Sequence, residues 1–191
     1  HNTAMGYNSL GANLVGDRNV AIGSGTLRSL APSANADTYN TAVGYDAGQA
    51  VSTGIQNTFV GGLAGDGTDD GAYNTAVGHV ALSANCGNEN TAVGYAALTS
   101  ATGADNTAVG SAAGFSLTSA TAGVFLGKYA GIYATTADNS TFVGFQAGQG
   151  ITGTKLTGNG NTAVGKDAGL TLQGAAASNT FVGDSAGAAV T

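Results

Sequence analysis

One short pattern of polar and apolar positions organises this chain. Asn-Thr-Ala-Val-Gly stands at Asn40-Thr41-Ala42-Val43-Gly44 and again from Asn90 to Gly94, and variants of it run from one end to the other. The closing glycines are Gly6, Gly23, Gly44, Gly61, Gly78, Gly94, Gly110, Gly127, Gly144, Gly165 and Gly183, spaced 16 to 18 residues apart with two steps of 21. A fixed short period across a whole chain is the signature of a stacked array rather than of a globular core. The unit extends to nine positions: Asn, Thr, Ala or Phe, an aliphatic residue or Met, Gly, two variable positions, a small residue, then Gly or Leu. Only Gly123 and Ser140 replace the leading Asn.

Positions two to four carry β-branched residues and predict a short strand. Adjacent strand residues face opposite ways, so position three looks away from position four, yet both are apolar in every copy. Such a strand is expected to be buried on both sides. The reading has Val43 and Val93 fill the coil interior and the Ala or Phe of position three meet a second copy of the chain. Gly44 and Gly94 suit a corner with positive φ or close backbone approach, and Asn40 and Asn90 suit the opposite corner, free to adopt a left-handed conformation and to stack as an amide ladder. Sixteen charged residues occupy only positions six and seven or the linkers, which marks these as the wet rim. On this assignment Val93→Asp disrupts assembly, whereas Asp at Ala96 is tolerated.

The linkers are mostly seven to nine residues, rich in Ser, Thr, Ala, Gly and Asn, and are expected to hold a second, weaker strand and a turn. Two are longer: Arg28 to Tyr39, containing Pro32, and Gln149 to Gly160, containing Lys155. Insertions in stacked arrays project as loops from one face. The fold expected is an all-β parallel β-solenoid, a β-roll or β-helix, of about eleven coils, forming a single array over residues 1–191.

Composition narrows the function. Charged residues make up 8% of the chain and the net charge is −6 with no basic cluster, which argues against binding nucleic acid through its phosphates. No run of 18 apolar residues is present, so membrane insertion by a helix is not expected. Cys86 stands alone, leaving no intrachain disulfide. His1 and His79 have no Cys, Ser-triad or paired-carboxylate context, and neither an enzyme activity nor a cofactor is expected.

The units resemble repeats of bacteriophage tail-fibre and tailspike-like proteins, some of which carry such arrays ahead of a self-cleaving chaperone domain. More loosely, Asn19-Val20-Ala21-Ile22-Gly23 is similar to the head repeats of trimeric autotransporter adhesins, which form parallel β-rolls, although the period here is nearer 17 than 14. The resemblance implies a homotrimer and an extracellular fibre segment on a virion, or alternatively on a bacterial cell surface, that meets a host glycan or protein. Candidate contacts are the rim aromatics Tyr45, Tyr95 and Phe145, with Tyr39, Pro32 and Lys155 near the long loops. Asp66, Asp69 and Asp70 form the one dense acidic cluster, a weak candidate for a hard cation, with a polar turn the blander alternative. A further reading, an ice-binding solenoid, meets the difficulty that no flat Thr-x-Thr face is evident.

Overall fold

The computed structural model describes residues 1–188. It begins with β1 (Thr3–Met5), β2 (Gly16–Asp17), β3 (Val20–Ile22), β4 (Ala36–Asp37), β5 (Thr41–Val43), β6 (Thr58–Val60) and β7 (Thr75–Val77). It continues with β8 (Thr91–Val93), β9 (Thr107–Val109), β10 (Val124–Leu126), β11 (Thr141–Val143), β12 (Thr162–Val164) and β13 (Thr180–Val182). Apart from β2 and β4, which pair with each other, every strand joins one parallel sheet of eleven in sequence order. Position two lies on position two, three on three and four on four at each step. Each coil therefore contributes one rung, as the repeat predicts, and no helix is present among the described residues. Among the described residues, the second strand expected in each linker is realised only in β2 and β4 and in bridges linking Ala134, Leu156 and Gly174.

The coil interior is narrow, and position three fills it. Ala42, Phe59, Ala76, Ala92, Ala108, Phe125, Phe142 and Ala163 are fully buried. This reverses the expected assignment of faces: Ala or Phe points into the coil, while Thr of position two and Val of position four line the outer surface of the sheet. Val43 and Val93 are only partly covered, and Val60, Val77 and Val109 are exposed. The linkers close the interior from the far side with Leu30, Val51, Cys86, Ala101, Leu117, Ala137 and Leu156.

Volume inside the coil is matched between two positions. Position nine is Leu in four copies (Leu10, Leu27, Leu82 and Leu98) and Gly in the other seven. Leu occurs only where position three is Ala both in its own coil and in the next. The reason is steric. A Cβ on Gly65 would sit 2.5 Å from the Phe59 ring, and one on Gly48, in the preceding coil, 2.8 Å from it. The same balance accounts for Gly123, one of the two copies without Asn. Phe125 and Phe142 are neighbours in consecutive coils, their ring centroids 5.7 Å apart at an edge-on angle. A Cβ on Gly123 would meet the Phe125 ring at 2.6 Å. Two stacked rings thus take room that single ones leave to an asparagine.

The asparagines of position one from Asn19 to Asn161 are buried and do not turn a corner; the residue before each of them does. Arg18, Tyr39, Gln56, Tyr73, Glu89, Asp105, Ala122, Asn139 and Ser178 all have φ between 51° and 63°. Positions seven and nine are left-handed as well, as in Ala96 (φ 54°) and Leu98 (φ 51°). A left-handed non-glycine costs roughly 1–2 kcal/mol, and hydrogen bonds between coils offset it. Ala96 N donates to the His79 carbonyl at 3.0 Å, Leu98 N to the Ala113 carbonyl at 3.0 Å, and Glu89 N to the Ala72 carbonyl at 3.0 Å.

The asparagine side chains form the expected ladder, with the backbone as its main partner. Asn74 Oδ1 accepts from the backbone N of Asn90 at 2.9 Å, and Asn74 Nδ2 donates to the Gly87 carbonyl at 3.0 Å. Direct amide-to-amide bonds, such as Asn90 Nδ2 to Asn74 Oδ1 at 3.2 Å, supplement this in some steps. Removing one rung orphans a buried donor. Asn74→Ala is expected to cost about 2–3 kcal/mol in urea unfolding. Asn74→Ser should cost less, because Ser140 Oγ already accepts the Asn161 N–H at 3.2 Å.

Candidate functional site

Two surfaces emerge from this backbone. The first is the outer face of the sheet. Thr and Val dominate it in two parallel rows, with Val20 and Val124 in the Thr row and Met5, Ile22 and Leu126 in the Val row. The rows are about 6.6 Å apart along the strand, and successive rungs are about 4.8 Å apart. Eleven rungs make a band about 50 Å long, and the three residues of each rung give a width of about 10 Å. The area, roughly 500 Å², is that of the largest apolar patch on a typical monomer, which is often functional.

The second surface is the row of position six, just past the corner glycine. Tyr7, Ser24, Tyr45, Gly62, His79, Tyr95, Ser111, Lys128, Phe145, Lys166 and Asp184 succeed one another along the stack. Tyr45 is 62% exposed and Tyr95 61%. The His79 and Tyr95 rings lie parallel, 5° apart in plane, with centroids separated by 5.9 Å. Phe145 leans towards Tyr129 at 6.4 Å, and the Lys128 ammonium lies 4.8 Å from the Tyr129 ring centre. Position seven, expected on the same wet rim, is different: its left-handed backbone turns the side chain back, and Ala96 is only 2% exposed. Asp46 and Asp167 nevertheless stand at the same position in other coils and are partly exposed. Asp46 beside Tyr45 raises the phenol above its ordinary value by hydrogen bonding and by charge.

The remaining candidates separate. Tyr39 belongs to the first long loop, where its hydroxyl accepts from Arg18 Nη1 at 2.6 Å and its ring packs under the Arg18 guanidinium, 5.4 Å from the ring centre. Arg18 also pairs with Asp37 at 3.0 Å, so this corner is internally satisfied. Pro32 rests near Gly16, where a Cβ would come within 3.1 Å of the proline ring. Lys155 is exposed at the second long loop, beside a tight turn closed by the bridge between Ile151 and Thr154. Tyr39, Pro32 and Lys155 are thus not brought together with the position-six row. Asp66, Asp69 and Asp70 do not converge either. Asp69 bonds to Ser52 Oγ, burial pushes the Asp66 carboxyl above the usual carboxylate range, and among the described residues no group of three His, Cys, Asp or Glu is placed to hold a metal ion. Cys86 is buried against Thr68 Oγ1 at 3.2 Å, and burial raises its thiol.

The sequence shows the aromatic residues of position six but groups them with position seven, whose residue types (Asn, Gly, Asp, Leu, Val, Ala, Tyr, Gln, Ser) are too mixed to mark the left-handed turn. Comparison with known proteins returns no matching family model, no matching curated protein and no matching solved structure.

Proposed function

We propose that this array is a segment of an extracellular homotrimeric fibre, of the kind carried by a phage tail, that holds loops and rim side chains out towards a host surface. The observation that carries the reading is the outer Thr and Val band. It is continuous in register over all eleven rungs and left uncovered by the chain's own linkers. A second and third copy supply a matching surface without any new chemistry, since the same patch recurs on each. The fibre's work is mechanical: a stack hydrogen-bonded from coil to coil resists bending, and three copies multiply weak contacts.

The same face favours a second reading. Thr hydroxyls and methyls alternating with Val on a regular rectangular grid form a surface able to order water and to adsorb to ice. The variable residues of position six fall beyond the sheet face, which carries Thr-x-Val in place of Thr-x-Thr. The two readings need opposite states of one surface, covered or bare. Sedimentation equilibrium of the wild type is expected to give a trimer, and a variant carrying Val60→Asp, Val77→Asp and Val109→Asp to give folded monomers with unchanged β-type circular dichroism. A wild-type monomer with thermal hysteresis would replace the fibre reading with the ice-binding one.

A further inference from the structure

We propose that the position-six row from Tyr7 to Ser111 is a platform for a neutral, linear glycan lying along the stack axis, with sugar faces on the rings of Tyr45, His79 and Tyr95. The inference gives chemical content to the attachment role above and rests on that reading. It begins from what the row does not do. Position six accepts Gly62, Ser24 and Ser111 in coils whose backbone geometry is the same as that of the Tyr coils. Packing therefore does not require an aromatic there, and Tyr7 at 84% exposed contributes nothing to the core. Large exposed rings that the fold does not need are placed for something else.

Their arrangement suits a sugar chain. Tyr45, His79 and Tyr95 stand two coils and then one coil apart, steps of about 9.6 and 4.8 Å, the second comparable to the length of one sugar residue in an extended glycan. The His79 and Tyr95 rings lie parallel and stacked, their centroids 5.9 Å apart. Gly62 leaves a notch in front of them: a Cβ there would touch only His79 Cδ2, at 3.5 Å. Tyr45 and His79 flank that notch two coils apart, about 9.6 Å. Two van der Waals contacts at about 3.5–4.0 Å each leave room between them for one pyranose ring. Hydroxyl-bearing neighbours, Ser24 and Ser111 in the same row and the tyrosine phenols themselves, can pair with sugar hydroxyls.

Charge selects a neutral ligand. The ionisable groups acting on Tyr45 are Asp46, which raises its phenol, and Arg28, which lowers it, and Asp66 lies within reach of Asp46. The lysines of the row, Lys128 and Lys166, come only later in the stack. A sialylated or sulfated chain would find more carboxylates than cations here, and a nucleic acid would be repelled for the same reason.

The test is a panel of immobilised neutral and acidic glycans probed with the intact protein, followed by calorimetric titration of the strongest hit, with cellohexaose and maltohexaose titrated in parallel. The expected result is binding to one or more neutral glycans that weakens at least tenfold in a Tyr45→Ala, Tyr95→Ala double variant with unchanged oligomeric state and melting temperature. Binding only to acidic glycans, no binding to any neutral one, or neutral binding that the double variant retains overturns the platform. A monomer by sedimentation that still binds a neutral glycan through these tyrosines upholds the platform and sinks the trimeric fibre, so the two failures are separable.

Discussion

Gly65→Leu is expected to destabilise the array severely, and adding Phe59→Ala to restore much of the loss. The Cβ alone would lie 2.5 Å from two atoms of the Phe59 ring, and the rest of the leucine has no free space in a coil that the ring already fills. Overpacking of this kind costs about 1–3 kcal/mol and sometimes more. Phe59→Ala by itself empties the same space and should cost about 3–5 kcal/mol. Together the two changes recreate the pairing already present in the next coil, where Ala76 is buried beside Leu82. Left-handed φ is no obstacle, because Leu82 itself adopts 54° at the equivalent position. Thermal unfolding followed by circular dichroism should therefore rank the double variant above both single ones, a coupling of the sign expected for residues sharing one cavity. If the double variant is no better than Gly65→Leu, the volume match between positions three and nine does not govern the core.

The second large effect is expected at the corner glycines. Gly94 has φ 134°, and a Cβ there would lie 2.6 Å from the Gly110 carbonyl oxygen and 2.7 Å from its carbon. Nothing flexible can yield, since both atoms belong to the backbone of the next coil. The backbone conformation costs about 1–3 kcal/mol for a side-chain-bearing residue, and relieving the clash costs a further 1–3 or so. Gly94→Ala should thus lower stability by about 2–6 kcal/mol. Ala at Gly62, in the variable position-six slot and with only His79 Cδ2 at 3.5 Å, should be nearly neutral. Equal urea midpoints for the two variants would mean that the stack can open at its corner, against the close approach seen there.

These expectations also measure how far the sequence was readable. Gly44 and Gly94 were placed at tight corners because an invariable glycine in each copy has few other uses, and the structure adds the reason: each corner lies against the corner of the next coil. Asn40 and Asn90 were given a stacking role, which they have, and a left-handed corner, which belongs instead to Tyr39 and Glu89. Side-chain chemistry favours Asn for αL, but hydrogen bonding between coils here imposes that conformation on Arg, Tyr and Glu. The exposed rings of Tyr45 and Tyr95 were visible as rim residues. The notch at Gly62 was not, because a missing side chain means something only once its neighbours in the stack are known.

By itself the sequence determined the architecture. A period of about 17 residues, with two adjacent apolar positions in every copy, requires strands that stack in register and a sheet with two apolar faces. Alternation along a strand, however, is symmetric. It shows that Ala42 and Val43 face opposite ways without showing which of them faces inward. Only the closed coil decided that: it buries the Ala or Phe of position three, with a Leu or Gly at position nine matched to it in volume. The aliphatic residues of position four were consequently left on the outer face of the sheet.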